Sequence, residues 1–321
     1  MTVISRRSSG SIFSSASIRI VLCSVLAYVF TFVPSALAGT IVRISTSVGD
    51  YSIELLDESA PGTVQNFLNY VNRNDYNGTY IHRVIDNFVV QGGGYRFRLF
   101  EGPIDLPSDP PIQNEFGASN TRGTVAMAKI AGDPDSATNQ WFVNVANNSA
   151  TLDADNGGFT VFGVVLGDGM DIVDDIEALP TVSLGFKASD APVITPIYAD
   201  PRDFLYINAE VTQRFSSSPH IFESETGLLI TSVSIDSGAD LISMNFNVVA
   251  ESPNIVVRAN EESVIPLRDS FEGIAEYSSV DGYLRIPSLE VNLNGSISVL
   301  TNVVLVLTDA ATLSFTLESF D

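Results

Sequence analysis

The sequence predicts a mainly β protein: an antiparallel barrel with helices covering its ends, followed by a smaller all-β module of sandwich type. Three observations carry this. Short apolar and polar alternations recur from Thr40 to Val211; only two segments in that stretch carry helical spacing; and from Arg214 onward the helical spacing vanishes while the alternation continues. No internal repeat of fixed period is present, which argues against a solenoid or propeller.

Val42 and Ile44, then Tyr51, Ile53 and Leu55 across Gly49-Asp50, predict a strand hairpin. Pro61 near a helix start, with Val64, Phe67, Leu68 and Val71 at three- and four-residue spacing, predicts an amphipathic helix that closes at the turn Asn77-Gly78. Strands are expected at 80–85 and 88–91, then a Pro-rich loop over 102–111. Further strands follow at 123–128, 140–145 and 159–165, a helix at 170–179, and a strand at 205–211. In the second region, strands are expected at 228–235, 241–249, 255–259, 283–291 and 297–307, with Ser216-Ser217-Ser218-Pro219 as the hinge. The domains are therefore 39–213 and 214–321.

Residues 1–38 read as a secretory signal. Arg6, Arg7 and Arg19 precede an apolar run from Ile20 to Pro34, and Ala36-Leu37-Ala38 offers small residues for cleavage before Gly39. The run is shorter than the roughly 20 residues that a membrane-spanning helix needs. Cys23, the one cysteine, sits inside it after Leu22, where lipid attachment would want a small residue. The expected product is exported, periplasmic or secreted, with no stable membrane insertion after cleavage.

Composition excludes several classes. With 45% hydrophobic and 17% charged residues in 321, the chain can bury a sizeable core and is no disordered tail. The formal charge of -22 repels polyphosphate, so nucleic acid is not expected as a partner. One cysteine and two histidines leave too few ligands for a Cys/His zinc site. Asp153 to Gly157 opens like a calcium loop, but the twelfth place holds Val164, and a flexible acidic turn is the better reading. Gly92-Gly93-Gly94 lacks the continuation of a phosphate loop and reads as a sheet-edge turn.

The segment Tyr80-Ile81-His82-Arg83-Val84-Ile85-Asp86-Asn87-Phe88-Val89-Val90-Gln91-Gly92-Gly93-Gly94 resembles the cyclophilin family of peptidyl-prolyl cis/trans isomerases. Gly123 to Ala128, Ser136 to Val143 and Phe159 to Val165 extend the resemblance, as does Asn66-Phe67-Leu68 on the first helix. It covers about residues 40–211. It implies a closed eight-stranded barrel with a shallow proline groove on its outer face, a catalytic arginine at Arg83, and groove residues at Phe88, Gln91, Ala128, Gln140, Phe142 and Leu152. This chain departs from the family pattern at Val89, Lys129, Thr151 and Phe159, which bears on affinity and sequence preference.

These residue types suit the implied chemistry. The barrier to rotating a peptide bond is about 18–20 kcal/mol, because conjugation gives the C–N bond double-bond character. At the twisted transition state the prolyl nitrogen regains a lone pair, and a guanidinium aimed there binds the twisted form better than either planar isomer. Arg83 is expected to supply that donor, with Gln91 orienting it or the substrate backbone. Phe88, Val89, Phe142, Leu152 and Phe159 are expected to hold the pyrrolidine ring, while Ala128, Lys129 and Gln140 line the peptide's path, Gln140 and the backbone near Lys129 engaging it. No metal, nucleotide, other cofactor or covalent intermediate is required, and the partners are proline-containing polypeptides. His82 is expected to be a packing or hydrogen-bonding neighbour of the site and not a base, and His220 a linker residue with no partner pattern nearby in the sequence. The competing reading is a weakly catalytic proline-peptide-binding or chaperone-like protein whose C-terminal module mediates attachment or partner binding.

Overall fold

A computed structural model describes residues 39–195, 201–293 and 295–321; the leader expected over residues 1–38 lies outside the described residues. The opening alternation becomes the hairpin β1 (Ile41–Thr46) and β2 (Gly49–Leu55), paired in register from Ile41 opposite Glu54 to Thr46 opposite Gly49. Helix α1 (Pro61–Asn72) follows. Its N-cap position is Ala60, which offers no side-chain acceptor, so the free amides of the first turn are met from a distance. Glu115 accepts from Gly62 N at 3.0 Å and from Thr63 N and Oγ1, both at 2.7 Å. Burial alone would raise the Glu115 pKa, but these hydrogen bonds hold it below the ordinary carboxylate value.

Seven further strands run to residue 144: β3 (Thr79–Tyr80), β4 (Arg83–Ile85), β5 (Val89–Gly92), β6 (Tyr95–Arg98), β7 (Gly102–Asp105), β8 (Thr124–Met127) and β9 (Trp141–Asn144). The short α2 (Ser149–Leu152), β10 (Val161–Val165), α3 (Gly169–Glu177), β11 (Thr181–Val182), β12 (Ala191–Pro192) and β13 (Tyr206–Thr212) complete the first region. The start of the Pro-rich stretch expected as loop is instead β7, which pairs with β6 from Arg98 opposite Gly102 to Tyr95 opposite Asp105. Proline at the edge of a hairpin costs no ladder hydrogen bond, so Pro103 was no barrier to a strand.

The strand order is β4-β5-β9-β8-β10-β2-β1-β13-β3-β6-β7. Between its ends, Ile81 N–H donates to Leu205 O at 2.9 Å and His82 N–H to Gln91 O at 3.1 Å. One continuous stretch, Thr79 to Ile85, thus borders β13 with its first half and β5 with its second. Phe67, Tyr70, Tyr76, Trp141 and Phe162 fill the interior, each fully buried, with the Phe67 and Trp141 rings edge-on at 6.2 Å.

The second region contains β14 (Ile221–Glu223), β15 (Leu228–Ile235), β16 (Asp240–Ala250), β17 (Val256–Pro266), β18 (Ala275–Ser278), β19 (Tyr283–Leu293), β20 (Ser296–Asp309) and β21 (Ser314–Ser319). The expected two-sheet sandwich is corrected here. The eight strands form one sheet in the order β14-β15-β16-β17-β21-β20-β19-β18, closed by parallel pairings of β14 with β19 and of β15 with β18. Alternation along a strand reveals which face is buried but not its partner, so it could not distinguish a closed sheet from two packed ones.

Residues 39–321 pack as one unit, and the junction is well bonded. Arg43 Nη1 donates to Ser218 O at 2.9 Å, and Arg268 N to Ser47 O at 2.7 Å. The expectation for His220 also fails: it is buried, with Nδ1 2.6 Å from Thr231 Oγ1 and Nε2 2.8 Å from Gly273 O. Those partners come from β15 and the 273 turn, which sequence proximity does not indicate. Among the described residues no helix is long and apolar enough to cross a membrane.

Candidate active site

A single row of residues crosses five strands. Arg83 on β4 lies opposite Gln91 on β5, Gln91 opposite Phe142 on β9, Phe142 opposite Ala126 on β8, and Ala126 opposite Val161 on β10. Directly paired residues project from the same face of a sheet. The intervening Val84, Val90 and Val143 belong to the interior cluster, so the row occupies the outer face. There, Val89, Ala126, Phe142, Leu152 and Val161 form a separate buried cluster, joined by the partly exposed Phe88, Ala128 and Phe159. Every apolar residue expected in the groove therefore comes together.

The polar end is a chain of side chains. Arg83 Nη1 donates to Gln91 Oε1 at 3.1 Å, Gln91 Nε2 donates to Gln140 Oε1 at 2.9 Å, and Gln140 Nε2 lies 3.4 Å from Tyr95 Oη. Arg83 enters no ion pair among the described residues and makes this one hydrogen bond, leaving most of its five-donor fork uncommitted. Gly94 makes room for the chain: a Cβ there would lie 2.7 Å from the Gln140 side chain. Gly93 takes a φ of +85°, and a Cβ on it would meet Asn139 O at 2.5 Å. The sheet-edge turn expected at the three glycines is instead a bend at Gly93 and Gly94 between β5 and β6, with Gly92 still in β5, a strand flanked on both sides.

The wall of the cluster is pinned from outside. Phe88 O accepts from Val145 N at 3.1 Å and from Asn148 Nδ2 at 2.7 Å. Phe159 N donates to Leu152 O at 2.9 Å, and its ring stands edge-on to Phe142 at 6.0 Å. The Lys129 side chain is held at the 156–158 turn: Nζ donates to Asn156 O at 2.8 Å and Gly158 O at 2.7 Å, and sits 4.8 Å from the Phe159 ring centroid. Burial lowers the Lys129 pKa. The turn expected to be flexible is tied by this lysine and by Asp153, which accepts from Asn120 N and Nδ2, both at 2.9 Å.

His82 is buried beneath Tyr95, ring centroids 4.7 Å apart. Burial, assisted by the neighbouring Arg83 charge and opposed by Gln140, pushes its pKa down to about 4. It is neutral at physiological pH and packs against Tyr95, the first of the two roles that the sequence left open. Sequence reasoning missed Ala126, Val161, Tyr95 and Asn148. The first two were recoverable from two-residue periodicity along β8 and β10; Tyr95 and Asn148 act through contacts that periodicity does not encode.

Three comparisons bear on this arrangement. The family model described as "Cyclophilin type peptidyl-prolyl cis-trans isomerase/CLD" matches residues 41–197. A peptidyl-prolyl cis-trans isomerase of Acinetobacter baylyi is 46% identical over 153 residues, covering 47% of this chain and 78% of that protein. Peptidyl-prolyl cis-trans isomerase B of Escherichia coli is 42% identical over 157 residues, covering 47% and 92%. A crystal structure of a Cryptosporidium parvum cyclophilin type isomerase aligns at a TM-score of 0.41 with 22% identity, over 55% of this chain and 99% of that one.

Proposed function

On the premise that the chain belongs to the cyclophilin-type peptidyl-prolyl cis-trans isomerase family, and is an enzyme of that type, we propose that Arg83 is the group through which it accelerates rotation about X–Pro bonds. The observation that carries this is the outer row itself: a largely uncommitted guanidinium, oriented by Gln91, at the border of an apolar shelf formed by Phe88, Val89, Phe142, Leu152 and Phe159.

The prolyl ring rests on the shelf and loses water. The guanidinium then meets the prolyl nitrogen as that nitrogen becomes pyramidal and its lone pair appears. A donor that is already oriented costs no reorganisation at that moment, and the apolar floor strengthens its charge. No bond to the substrate is made or broken. Gln140 and the backbone of Ala128 and Lys129 run beside the shelf, where an extended peptide passes.

The same reading takes the run from β4 to β13, eight of the eleven strands in the first sheet, as a closed barrel capped by two helices, with the β6–β7 hairpin appended. The continuous Thr79–Ile85 stretch supports closure, since it borders both β13 and β5. It divides the chain at residues 213 and 214, supported by the two separate interior clusters. It places the substrates among exported proteins, supported by the basic, apolar and small-residue order of residues 1–38.

The test is exchange NMR on a short X–Pro peptide with the full chain and with Arg83→Ala. Wild type is expected to speed the exchange, and the variant to lose about 100-fold of that acceleration while staying folded. Peptide binding by wild type with no acceleration overturns the catalytic role and leaves a docking groove.

A further inference from the structure

A cleft of about 580 Å3 lies between the two sheets, away from the groove and sharing none of its residues. Its volume falls within the roughly 300–1,000 Å3 of ligand sites, which favour domain junctions. One wall is the β1–β2 turn with the start of α3; the other is the 215–219 linker with the 267–272 segment.

The chemistry of this cleft is consistent from wall to wall. Strand alternation directs Tyr51 and Ile53 inward and Ser52 outward; likewise it buries Val233 in the second interior and turns Ser232 out. Both serines line the cleft, as does Ser47, and all three are more than nine-tenths buried. Their hydroxyls make no hydrogen bond among the described residues. Phe215 and Phe271, 38% and 39% exposed, present aromatic surface to the same space. Phe215 is seated on Gly167, where a Cβ would lie 2.6 Å from its ring.

The charge is one-sided. Arg43 pairs with Asp50 at 2.7 Å and Arg268 with Asp269 at 2.6 Å, so these four cancel. Asp168, Asp171 and Glu272 remain, lining the cleft without an ion-pair partner among the described residues. A site with excess carboxylate, exposed phenyl rings and unpaired hydroxyls favours a ligand that brings cations, apolar side chains and amide groups together.

We propose that this cleft binds a short cationic and apolar stretch of polypeptide, separately from the proline groove. Basic side chains meet Asp168, Asp171 and Glu272, an apolar one lies against Phe215 or Phe271, and backbone amides pair with the serine hydroxyls. This holds whether or not Arg83 is the catalytic group.

The experiment uses the full chain and two fluorescent proline-free peptides, Leu-Arg-Phe-Arg and Leu-Glu-Phe-Glu, blocked at both ends and followed by anisotropy. The basic peptide is expected to bind, more weakly as salt is raised, and the acidic one not to bind. The double variant Asp171→Asn/Glu272→Gln is expected to weaken the basic peptide at least ten-fold, and Phe271→Ala several-fold, with X–Pro isomerisation unchanged in both. These positions are exposed or partly exposed, and a thermal melt checks that each variant keeps its fold. No binding of the basic peptide, equal binding of the acidic one, or undiminished binding by the double variant overturns the assignment. So does competition with an X–Pro substrate, which would place the peptide in the groove. Self-association of the chain that the double variant abolishes would instead assign the cleft to a second copy, and equally overturn it.

Discussion

Around Trp141 the first sheet buries the rings of Tyr51, Phe67, Tyr70, Tyr76 and Phe162 and still carries a second apolar cluster on its outer face; the second sheet gathers aliphatic side chains with Phe246 and Phe315 inside, and outside holds the small group Ile221, Leu228 and Ile230. Both sheets have the interior that folding requires. They differ in that the first region's outer cluster is left half open at Phe88, Ala128 and Phe159 and bordered by a hydrogen-bonded chain from Arg83 to Gln140, whereas the second's small outer group is almost fully buried. An interior stabilises a fold; an apolar patch that is left partly exposed and flanked by an oriented cation is free to act on something else.

The largest effects should come from testing whether the two interiors stand independently. Trp141→Ala and Phe246→Ala each remove a fully or almost fully buried ring and are expected to cost about 3–5 kcal/mol. Urea unfolding followed with isomerisation should show activity lost in the first variant and retained in the second. If Phe246→Ala abolishes activity below its unfolding transition, the two regions are one cooperative unit and the contrast collapses.

Acid should separate the regions next. The His82 pKa is depressed from 6.5 to about 4 by burial, so its neutral form is favoured in the native state. That stability is present above pH 6.5 and is lost as pH falls towards 4, a change of about 3 kcal/mol at most. His220 in the second region is shifted the same way by burial; Glu210 in the first region and buried Glu223 in the second are both shifted upward by burial and gain stability when they protonate, so these two carboxylates offset each other and the larger shift at His82 sets the contrast. The first region should therefore soften first on acidification, read as hydrogen exchange of β5 and β9 amides against β16 and β19. His82→Gln should flatten that pH dependence; an unchanged slope would show that another group causes it.

Smaller effects sharpen the account of the polar chain. Gly94→Ala drives a methyl into Gln140 and should cost about 1–3 kcal/mol of stability by overpacking, with roughly a ten-fold fall in kcat/KM, equal to about 1.4 kcal/mol, as the chain to Gln91 is displaced. Retained kcat/KM would remove Gln140 from the argument. Lys129→Met, which loses the two carbonyl contacts and the ring contact, should cost about 0.5–1 kcal/mol. It should raise KM a few-fold without changing kcat, since the lysine braces the wall beside Phe159 and does not meet the reacting bond.

Much of the site was legible because its signal is local. Arg83 and Gln91 are eight residues apart on two strands joined by a short turn, so the hairpin that the alternation predicts places them side by side. Phe88, Phe142, Leu152 and Phe159 came from motifs spread along the chain, and the structure gathers them. Lys129 shows the limit. Its position beside the groove was foreseen, but its side chain is drawn to the Asn156 and Gly158 carbonyls, which residue type and spacing do not announce.

Periodicity and neighbours along the chain were enough for the longer strands, the two longer helices, the outward set along β4 and β5 and the chemistry that an arginine over an apolar shelf can perform; they did not reveal the short strands such as β6, β7, β14, β18 and β21. Beyond the local hairpins, only the tertiary structure settles which strands meet. It closed the second sheet by pairing residues 221–223 with 290–292, capped α1 with Glu115 from 53 residues away, and buried His220 against Thr231 and Gly273. The reason is that a strand's pattern specifies the face it buries, while its partner is chosen by competition among every edge and every unpaired polar group in the folded chain.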